Sequence, residues 1–298
     1  MARPMLGIIG GTGFYDMPGL TGRRADTVET PFGSPSGPVV TGELDGTPVA
    51  FLPRHGAGHA VNPTGLPYRA NVYAMKAAGV THLLSISAVG SLREDIAPLH
   101  LVIPDQVIDR TTSRDRSFFD AGLVVHIGVA EPYCPTLRRA IVGAAAELDT
   151  MTHVGGTYVC IEGPRFSTRA ESALHRSWGA SVVGMTAMPE VSLAREAELC
   201  YVTVALVTDY DVWHESEEPV TVEVVGRTLR QNAESGRALI ASLLAAGLPD
   251  RDCPCPDALT AGISTDPAAI DTATRERYAL FLRDRVPAQR PATPAGAD

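Results

Sequence analysis

The chain has 298 residues, of which 45% are hydrophobic and 20% charged, and its formal net charge is −9. This acidic balance without a basic stripe argues against a nucleic-acid-binding protein. No apolar run of about 18 residues is present, so no transmembrane helix is predicted. The N-terminus lacks the pattern of a secretory signal, and we therefore expect a cytoplasmic protein with neither nucleic-acid nor membrane partners.

Helix-like and strand-like patterns alternate along the chain, which predicts an α/β fold around a central sheet. We expect strands at residues 5–10, 47–53, 81–92, 152–164 and 198–211, and helices at 66–79, 134–149, 167–179 and 219–247. No low-complexity linker interrupts the pattern before about residue 250, so we expect a single domain over residues 1–285. Residues 286–298 are rich in Pro and Ala and poor in large apolar residues, which predicts a disordered tail.

The first strand leads into a glycine turn, "GIIGGTG", that carries the hydroxyl of Thr12. A P-loop requires a lysine after its glycines, and none follows here. A dinucleotide fingerprint would need a third glycine where Asp16 stands and a helix directly after the turn, whereas the next residues include Pro18. The turn is therefore predicted to bind a single phosphate through backbone N–H groups and Thr12.

Two further strand ends carry groups suited to a small anion. The segment "PRHGAGH" supplies Arg54, His55 and His59, and arginine binds phosphate through two parallel donors. In "SISAVGSL" the Ser87 hydroxyl and the backbone amide of Ala88 lie at a strand end. Each segment alone also fits a surface salt bridge or an ordinary turn, but sheet ends are where α/β proteins build ligand sites.

Carboxylates follow the most β-rich run, where "VALVTDYDVW" places Asp209 and Asp211 after an apolar strand. An acid in an apolar setting has a raised pKa and can donate a proton. Alternation puts both side chains on one side if the strand continues. The alternative is a solvated, Asp-rich turn.

Two other segments contain residues with more than one interpretation. In "EGPRFSTRAES", Phe166 fits either a flat wall for a heteroaromatic ring or the core. In "GMTAMPE", Met185 and Thr186 lie at another predicted strand end.

The five cysteines are predicted to have no catalytic role. Cys134, Cys160 and Cys200 stand singly in apolar contexts, which is typical of separate, reduced core thiols. Cys253 and Cys255 form a Cys-Pro-Cys pair that could chelate a metal, form a strained disulfide or do neither. Zinc would require two further ligands, and none lies nearby in the sequence, so no metal site is expected.

Taken together, these segments resemble the trimeric purine nucleoside phosphorylase family. The resemblance rests on "GIIGGTG", "RHGAGH", "IEGPRFSTRAES", "GMTAMPE" and "VTDYDVW", in unbroken order over about residues 5–245. It implies a mixed central β-sheet flanked by helices, a homotrimer, and phosphorolysis of a nucleoside. Inorganic phosphate would be a co-substrate, with no metal or organic cofactor.

The resemblance also implies roles for individual residues. The phosphate-binding positions are Thr12, Arg54, His55, Ser87, the Ala88 amide and Thr186. The positions around the nucleoside are Phe166 stacking on the base, Ser167 beside it, the Met185 backbone at the ribose hydroxyls, and Asp209 and Asp211 as the catalytic carboxyl groups. The positions around the 5′ substituent are His59, Val222 and Val225, with His126 reaching in from a neighbouring subunit.

The expected substrate follows from two of these positions. Members that act on 6-oxopurines carry Glu and Asn where this chain has Ser167 and Asp209, and a carboxyl group there suits the exocyclic amine of adenine. The expected reaction converts 5′-methylthioadenosine to adenine and 5-methylthioribose 1-phosphate. The alternative is a phosphorylase of 6-oxopurine nucleosides or methylthioinosine.

Overall fold

The computed structural model describes residues 3–11, 14, 17–214, 221–260 and 262–282, without the side chains of residues 222 and 224. The predicted phosphate-binding Thr12 and the predicted tail at 286–298 lie outside these residues. Within the described part of the chain, no helix is both long and apolar enough to cross a membrane.

The described residues form one mixed β-sheet at the centre of a single domain. Its eleven strands are Leu6–Gly10 (β1), Thr21–Asp26 (β2), Val39–Leu44 (β3), Thr47–Pro53 (β4), His82–Ser91 (β5), Leu101–Ile103 (β6), Gln106–Arg110 (β7), Thr152–Val154 (β8), Thr157–Ile161 (β9), Val182–Gly184 (β10) and Cys200–Asp209 (β11). The main path runs β2-β3-β4-β1-β5-β10-β9-β7, while β11 pairs with β5 and β6, and β6 pairs with β8.

Strand β5 is the branch point of the sheet. Along one edge it pairs in parallel with β11 from His82 to Gly90. Along the other edge it pairs in parallel with β1 as far as Ser85, and then antiparallel with β10 at Gly90 and Ser91. The segment from Ile86 to Val89 therefore faces a gap where β1 and β10 diverge, which is the kind of crevice in which α/β sheets bind ligands.

Helices cover both faces of the sheet. They are Tyr68–Ala77 (α1), Pro135–Ala145 (α2), Arg169–Ser177 (α3), Glu190–Glu196 (α4), Val222–Ala246 (α5), Thr272–Arg277 (α6) and Ala279–Leu282 (α7). The local sequence explains where two of these helices begin. Helix α2 has Pro135 in its first turn, and α3 begins with a capping box between Thr168 and Glu171. The two largest apolar clusters among the described residues contain residues of α1 and α4 in one case and of α2 and α5 in the other.

Two details of the predicted elements are wrong. The strand expected at 152–164 is split into β8 and β9 because Gly155 and Gly156 have φ values of 97° and 107°, which L-residues rarely adopt. The last β-rich strand ends at Asp209, and Asp211 has a φ of 53° in the following turn. Strand alternation therefore does not align Asp209 with Asp211.

Candidate active site

The gap beside β5 contains buried hydroxyl groups without partners. Extending the antiparallel register of β10 places Thr186 opposite Ser87. Both side chains are buried, and neither hydroxyl has a hydrogen-bond partner among the described residues. Because buried polar groups are nearly always hydrogen-bonded, two such hydroxyls at one gap indicate a site for a polar ligand.

A tyrosine lies beneath these hydroxyls. The Tyr158 side chain of β9 is fully buried, and its hydroxyl also lacks a hydrogen bond of ordinary geometry. Burial raises the pKa of Tyr158 to about 12, while the nearby Ser87 and Thr186 hydroxyls lower it. A Cβ at Gly184 would lie 2.0 Å from the tyrosine hydroxyl, so only glycine at this position lets the ring approach the gap.

Arg54 directly follows β4 and lies beside the carboxyl end of β1 and the middle of β5, almost completely buried. Its guanidinium donates to the carbonyl oxygens of Ile86 and Ile9 over 2.8 and 3.0 Å, and to Ser85 Oγ over 2.7 Å. It also forms an ion pair with Glu190 at an Nε–Oε2 distance of 3.3 Å. These contacts leave one Nη1–H of its five donors without an assigned acceptor.

The pairing of Arg54 with Glu190 is a site feature that the sequence analysis missed. Glu190 begins α4 and also accepts a hydrogen bond from Tyr201 Oη at 2.9 Å. It stands in the predicted segment "GMTAMPE", but nothing local indicates that its carboxylate reaches an arginine 136 positions earlier.

His55 is a neutral imidazole in this site. Burial lowers its pKa to about 4, and its Nδ1 lies 2.8 Å from the Val61 carbonyl oxygen. The carbonyl can only accept, so Nδ1 carries the proton and Nε2 is left as an acceptor. His59 stacks on His55 with ring centroids 4.3 Å apart, but its own side chain is exposed.

The structure brings Asp209 and Asp211 together by a turn. A register irregularity precedes Asp209 at the end of β11, and the Asp211 amide donates to Asp209 Oδ1 at 2.8 Å. Gly90 makes room for the pair, since a Cβ there would lie 2.9 Å from Asp209 Oδ1 and 3.2 Å from Asp211 Cβ. Bulges at strand ends commonly re-aim side chains at active sites.

Burial raises the pKa of both carboxyl groups. For Asp209, hydrogen bonds from Thr208 and from the Asp211 amide oppose this effect without reversing it. For Asp211, the nearby hydroxyls of Ser172 and Ser167 oppose it, although neither forms a hydrogen bond of ordinary geometry. Two adjacent carboxyl groups with raised pKa values can hold a proton for donation to a ligand.

The segment before α3 forms a wall next to these carboxyl groups. The Phe166 ring is 37% exposed, whereas Ser167 is buried and its hydroxyl has no partner within the described chain. The partly exposed ring contradicts the core alternative for Phe166. An open aromatic face beside an unpaired hydroxyl fits a planar heteroaromatic ligand.

Met185 is positioned through its carbonyl oxygen by residues that the sequence analysis did not single out. Arg114 Nη1 donates to Met185 O at 2.8 Å, and Arg114 Nε forms an ion pair with Glu162 Oε1 at 2.9 Å. Tyr68 Oη contacts the same carbonyl oxygen at 3.4 Å. The strand-end segment is therefore held by a buried arginine rather than by local turn geometry.

The described part of the chain does not bring the residues predicted around the 5′ substituent together into one pocket. Val225 is half-buried near the start of α5, and the Val222 side chain lies outside the described residues. His126 is exposed, and its amide donates to the Gly262 carbonyl oxygen at 2.8 Å.

Known proteins resemble this chain over nearly its whole length. It is 52% identical over 279 residues to the S-methyl-5′-thioadenosine phosphorylase of Geobacter sulfurreducens, which covers 93% of this chain and 98% of the relative. It is 53% identical to the S-methyl-5′-thioadenosine phosphorylase of Rhodospirillum rubrum, over 86% of each chain.

Solved structures show the same fold. A methylthioadenosine phosphorylase sourced from an antarctic soil metagenomic library superposes with a TM-score of 0.88 at 44% identity, covering 95% of this chain and all of the other. The methylthioadenosine phosphorylase of Schistosoma mansoni in complex with adenine gives a TM-score of 0.78 at 38% identity, covering 83% and 93%. The family model of the phosphorylase superfamily matches residues 5–245. The chain therefore belongs to the phosphorylase superfamily, among relatives that are S-methyl-5′-thioadenosine phosphorylases.

Proposed function

We propose that this chain catalyses the phosphorolysis of 5′-methylthioadenosine to adenine and 5-methylthioribose 1-phosphate. The observation that carries the proposal is the gap beside β5, where unpartnered hydroxyls lie near two carboxyl groups of raised pKa. The named activity of the relatives at about half identity supports the same reaction.

The phosphate occupies the gap in this proposal. The hydroxyls of Ser87 and Thr186 and the amide of Ala88 donate to its oxygens, together with the Thr12 turn. The remaining Nη1–H of Arg54 supplies a charged donor. Because His55 is neutral with its Nε2 lone pair free, it accepts from a protonated phosphate oxygen rather than donating to a bare one.

The base lies against Phe166, with the carboxyl groups at its edge. Asp209 donates its proton to N7 as the bond from C1′ to N9 breaks and the electron pair moves into the purine. Asp211 and Ser167 lie at the same edge, where a carboxyl oxygen can accept from the exocyclic amine of adenine. Cleavage passes through an oxocarbenium-like state, which a fixed phosphate anion stabilises while it is positioned to attack C1′.

The sugar contacts the Met185 backbone, and its 5′ substituent lies near His59, Val222 and Val225. His126 contributes from a neighbouring subunit of a homotrimer. The exposed apolar side chains of Val124 and Val129 flank His126 in sequence, which supports burial of this segment against another copy. The reaction requires no metal or organic cofactor, and we propose that it takes place in the cytoplasm.

The test is base release from methylthioadenosine, adenosine, inosine and methylthioinosine, each with and without inorganic phosphate. We expect phosphate-dependent release of adenine that is fastest from methylthioadenosine. Release of hypoxanthine at a higher rate would overturn the interpretation of Ser167 and Asp209 and favour the 6-oxopurine alternative. Base release that does not depend on phosphate would overturn phosphorolysis itself.

A further inference from the structure

Four of the five cysteines meet in one cluster. The sulfur atoms of Cys134, Cys200, Cys253 and Cys255 all lie within 4.8 Å of one another, and no disulfide joins them. We call this set the cysteine cluster. It corrects the sequence-based expectation that the first two are separate core thiols and that the Cys-Pro-Cys pair has no further ligands nearby.

The cysteine cluster is remote from the candidate active site. Cys200 is the first residue of β11 and Asp209 is the last, so the strand separates them by roughly 30 Å at the usual rise per residue. Cys134 lies at the N-terminus of α2, and the Cys-Pro-Cys pair follows α5 in the C-terminal part of the chain. The cluster therefore joins the sheet, a helix and the C-terminal segment.

The spacing of the sulfur atoms fits a tetrahedral metal ion. Zinc–thiolate bonds of about 2.3 Å place the four sulfurs of a tetrahedral site about 3.8 Å apart. The sulfur atoms of Cys200 and Cys253 are 3.4 Å apart, and the whole cluster is only slightly wider than the ideal arrangement. Two disulfides would need two close pairs at about 2.05 Å, and would not require all four sulfurs to be mutual neighbours.

Two arginines lie beside the cluster and offset the negative charge that a four-thiolate zinc site would carry. Four thiolates and one Zn²⁺ have a net charge of −2, and two arginines adjoin them. Arg195 Nη1 lies 3.6 Å from Cys255 Sγ, and the Arg251 side chain lies beside Cys200. The Arg251 guanidinium also donates to the Glu198 carbonyl oxygen, which holds its positive charge next to the cluster.

Cys134 also contacts the backbone at the N-terminus of α2. The Leu137 amide in the first turn of α2 donates to Cys134 Sγ at 3.4 Å, and helix N-termini favour thiolates.

We propose that the cysteine cluster binds one zinc ion in a closed, four-thiolate structural site. All four coordination positions are filled by protein, so the ion has no open position for substrate or water and takes no part in the reaction. Its effect is to fasten the C-terminal segment to β11 and α2. Leu259, shortly after the pair, is fully buried and its amide donates to Glu198 Oε1 at 3.2 Å, so this segment is part of the folded core.

The test measures zinc directly on the full-length protein purified under reducing, anaerobic conditions. We expect one zinc per chain by elemental mass spectrometry. We also expect that Co²⁺, exchanged for zinc, gives intense thiolate-to-metal charge-transfer absorption. Cys253→Ser should lose most of the bound zinc and the charge-transfer band. Cys160→Ser changes the one cysteine outside the cluster and serves as the matched control that keeps both.

Folding and activity measurements separate metal loss from misfolding. We expect Cys253→Ser to keep its phosphorolysis rate at moderate temperature and to unfold at a lower temperature, and chelation of the wild-type protein to lower its unfolding temperature in the same way. Reduced wild-type protein that takes up no more zinc than Cys253→Ser would overturn the proposal. Purified protein with two disulfides that binds no zinc after reduction would overturn it equally.

Discussion

The buried ion pair between Arg54 and Glu190 allows a quantitative test of the site. Glu190→Gln keeps the side-chain size and an oxygen that accepts from Tyr201, but it removes the negative charge. At the observed 3.3 Å, the lost attraction is about 5 kcal/mol with an effective dielectric constant of about 20. Breaking one partner of a buried pair typically costs about 3–5 kcal/mol, so we expect the free energy of unfolding to fall by about that amount.

Phosphate should reverse part of this loss. With Glu190 neutralised, the positive charge of Arg54 remains buried beside the carboxyl end of β1 and the middle of β5. A phosphate in the gap supplies a compensating negative charge and stabilises only the folded state. We therefore expect phosphate to stabilise Glu190→Gln more than it stabilises the wild-type protein.

The assay is urea unfolding of both proteins with phosphate and with chloride at the same ionic strength. Glu43→Gln is the matched control, because it breaks an exposed pair with Arg3 at 3.7 Å, which is worth about 0–1 kcal/mol. An equal loss for the two variants would refute the buried-charge argument. Equal stabilisation of Glu190→Gln and wild type by phosphate would refute the placement of the anion near Arg54.

Three other substitutions test separate parts of the structure. Asp209→Asn should lower kcat by about 10²–10⁴-fold, a larger effect than on adenine binding, and should abolish the loss of rate at high pH that a general acid of raised pKa produces; an unchanged kcat contradicts its role. Thr186→Val removes an unpartnered hydroxyl and should raise the KM for phosphate several-fold while leaving the affinity for adenine unchanged; initial rates at varied phosphate measure this. Glu196 is buried with its pKa raised from 4.5 to about 7, so its folded form holds a proton more tightly than its unfolded form. The stability it contributes is complete below about pH 4.5 and is lost as the pH rises through about 7, a difference of roughly 3 kcal/mol. Urea unfolding across that range should show a smaller decline for Glu196→Gln, and identical slopes would contradict the shift.

The sequence by itself predicts those features whose pattern lies within a few consecutive residues. The apolar run before the first glycine turn predicted β1, and the β-rich run before Asp209 predicted β11. The expectation that Asp209 and Asp211 have raised pKa values also holds, because an apolar strand leading into a carboxyl group is visible in a few consecutive residues. The three-residue strand β6 was not predicted because too few residues carry its periodicity.

Only the tertiary structure decided which distant groups meet. Thr186 and Ser87 come together next to Tyr158 as β10 pairs antiparallel with the end of β5, and strand pairing is not specified by either segment alone. Glu190 reaches Arg54, and Cys134 and Cys200 reach the Cys-Pro-Cys pair, across long separations in sequence. Sequence patterns report the face and period of one element, whereas a charge partner or a ligand set depends on how several elements pack.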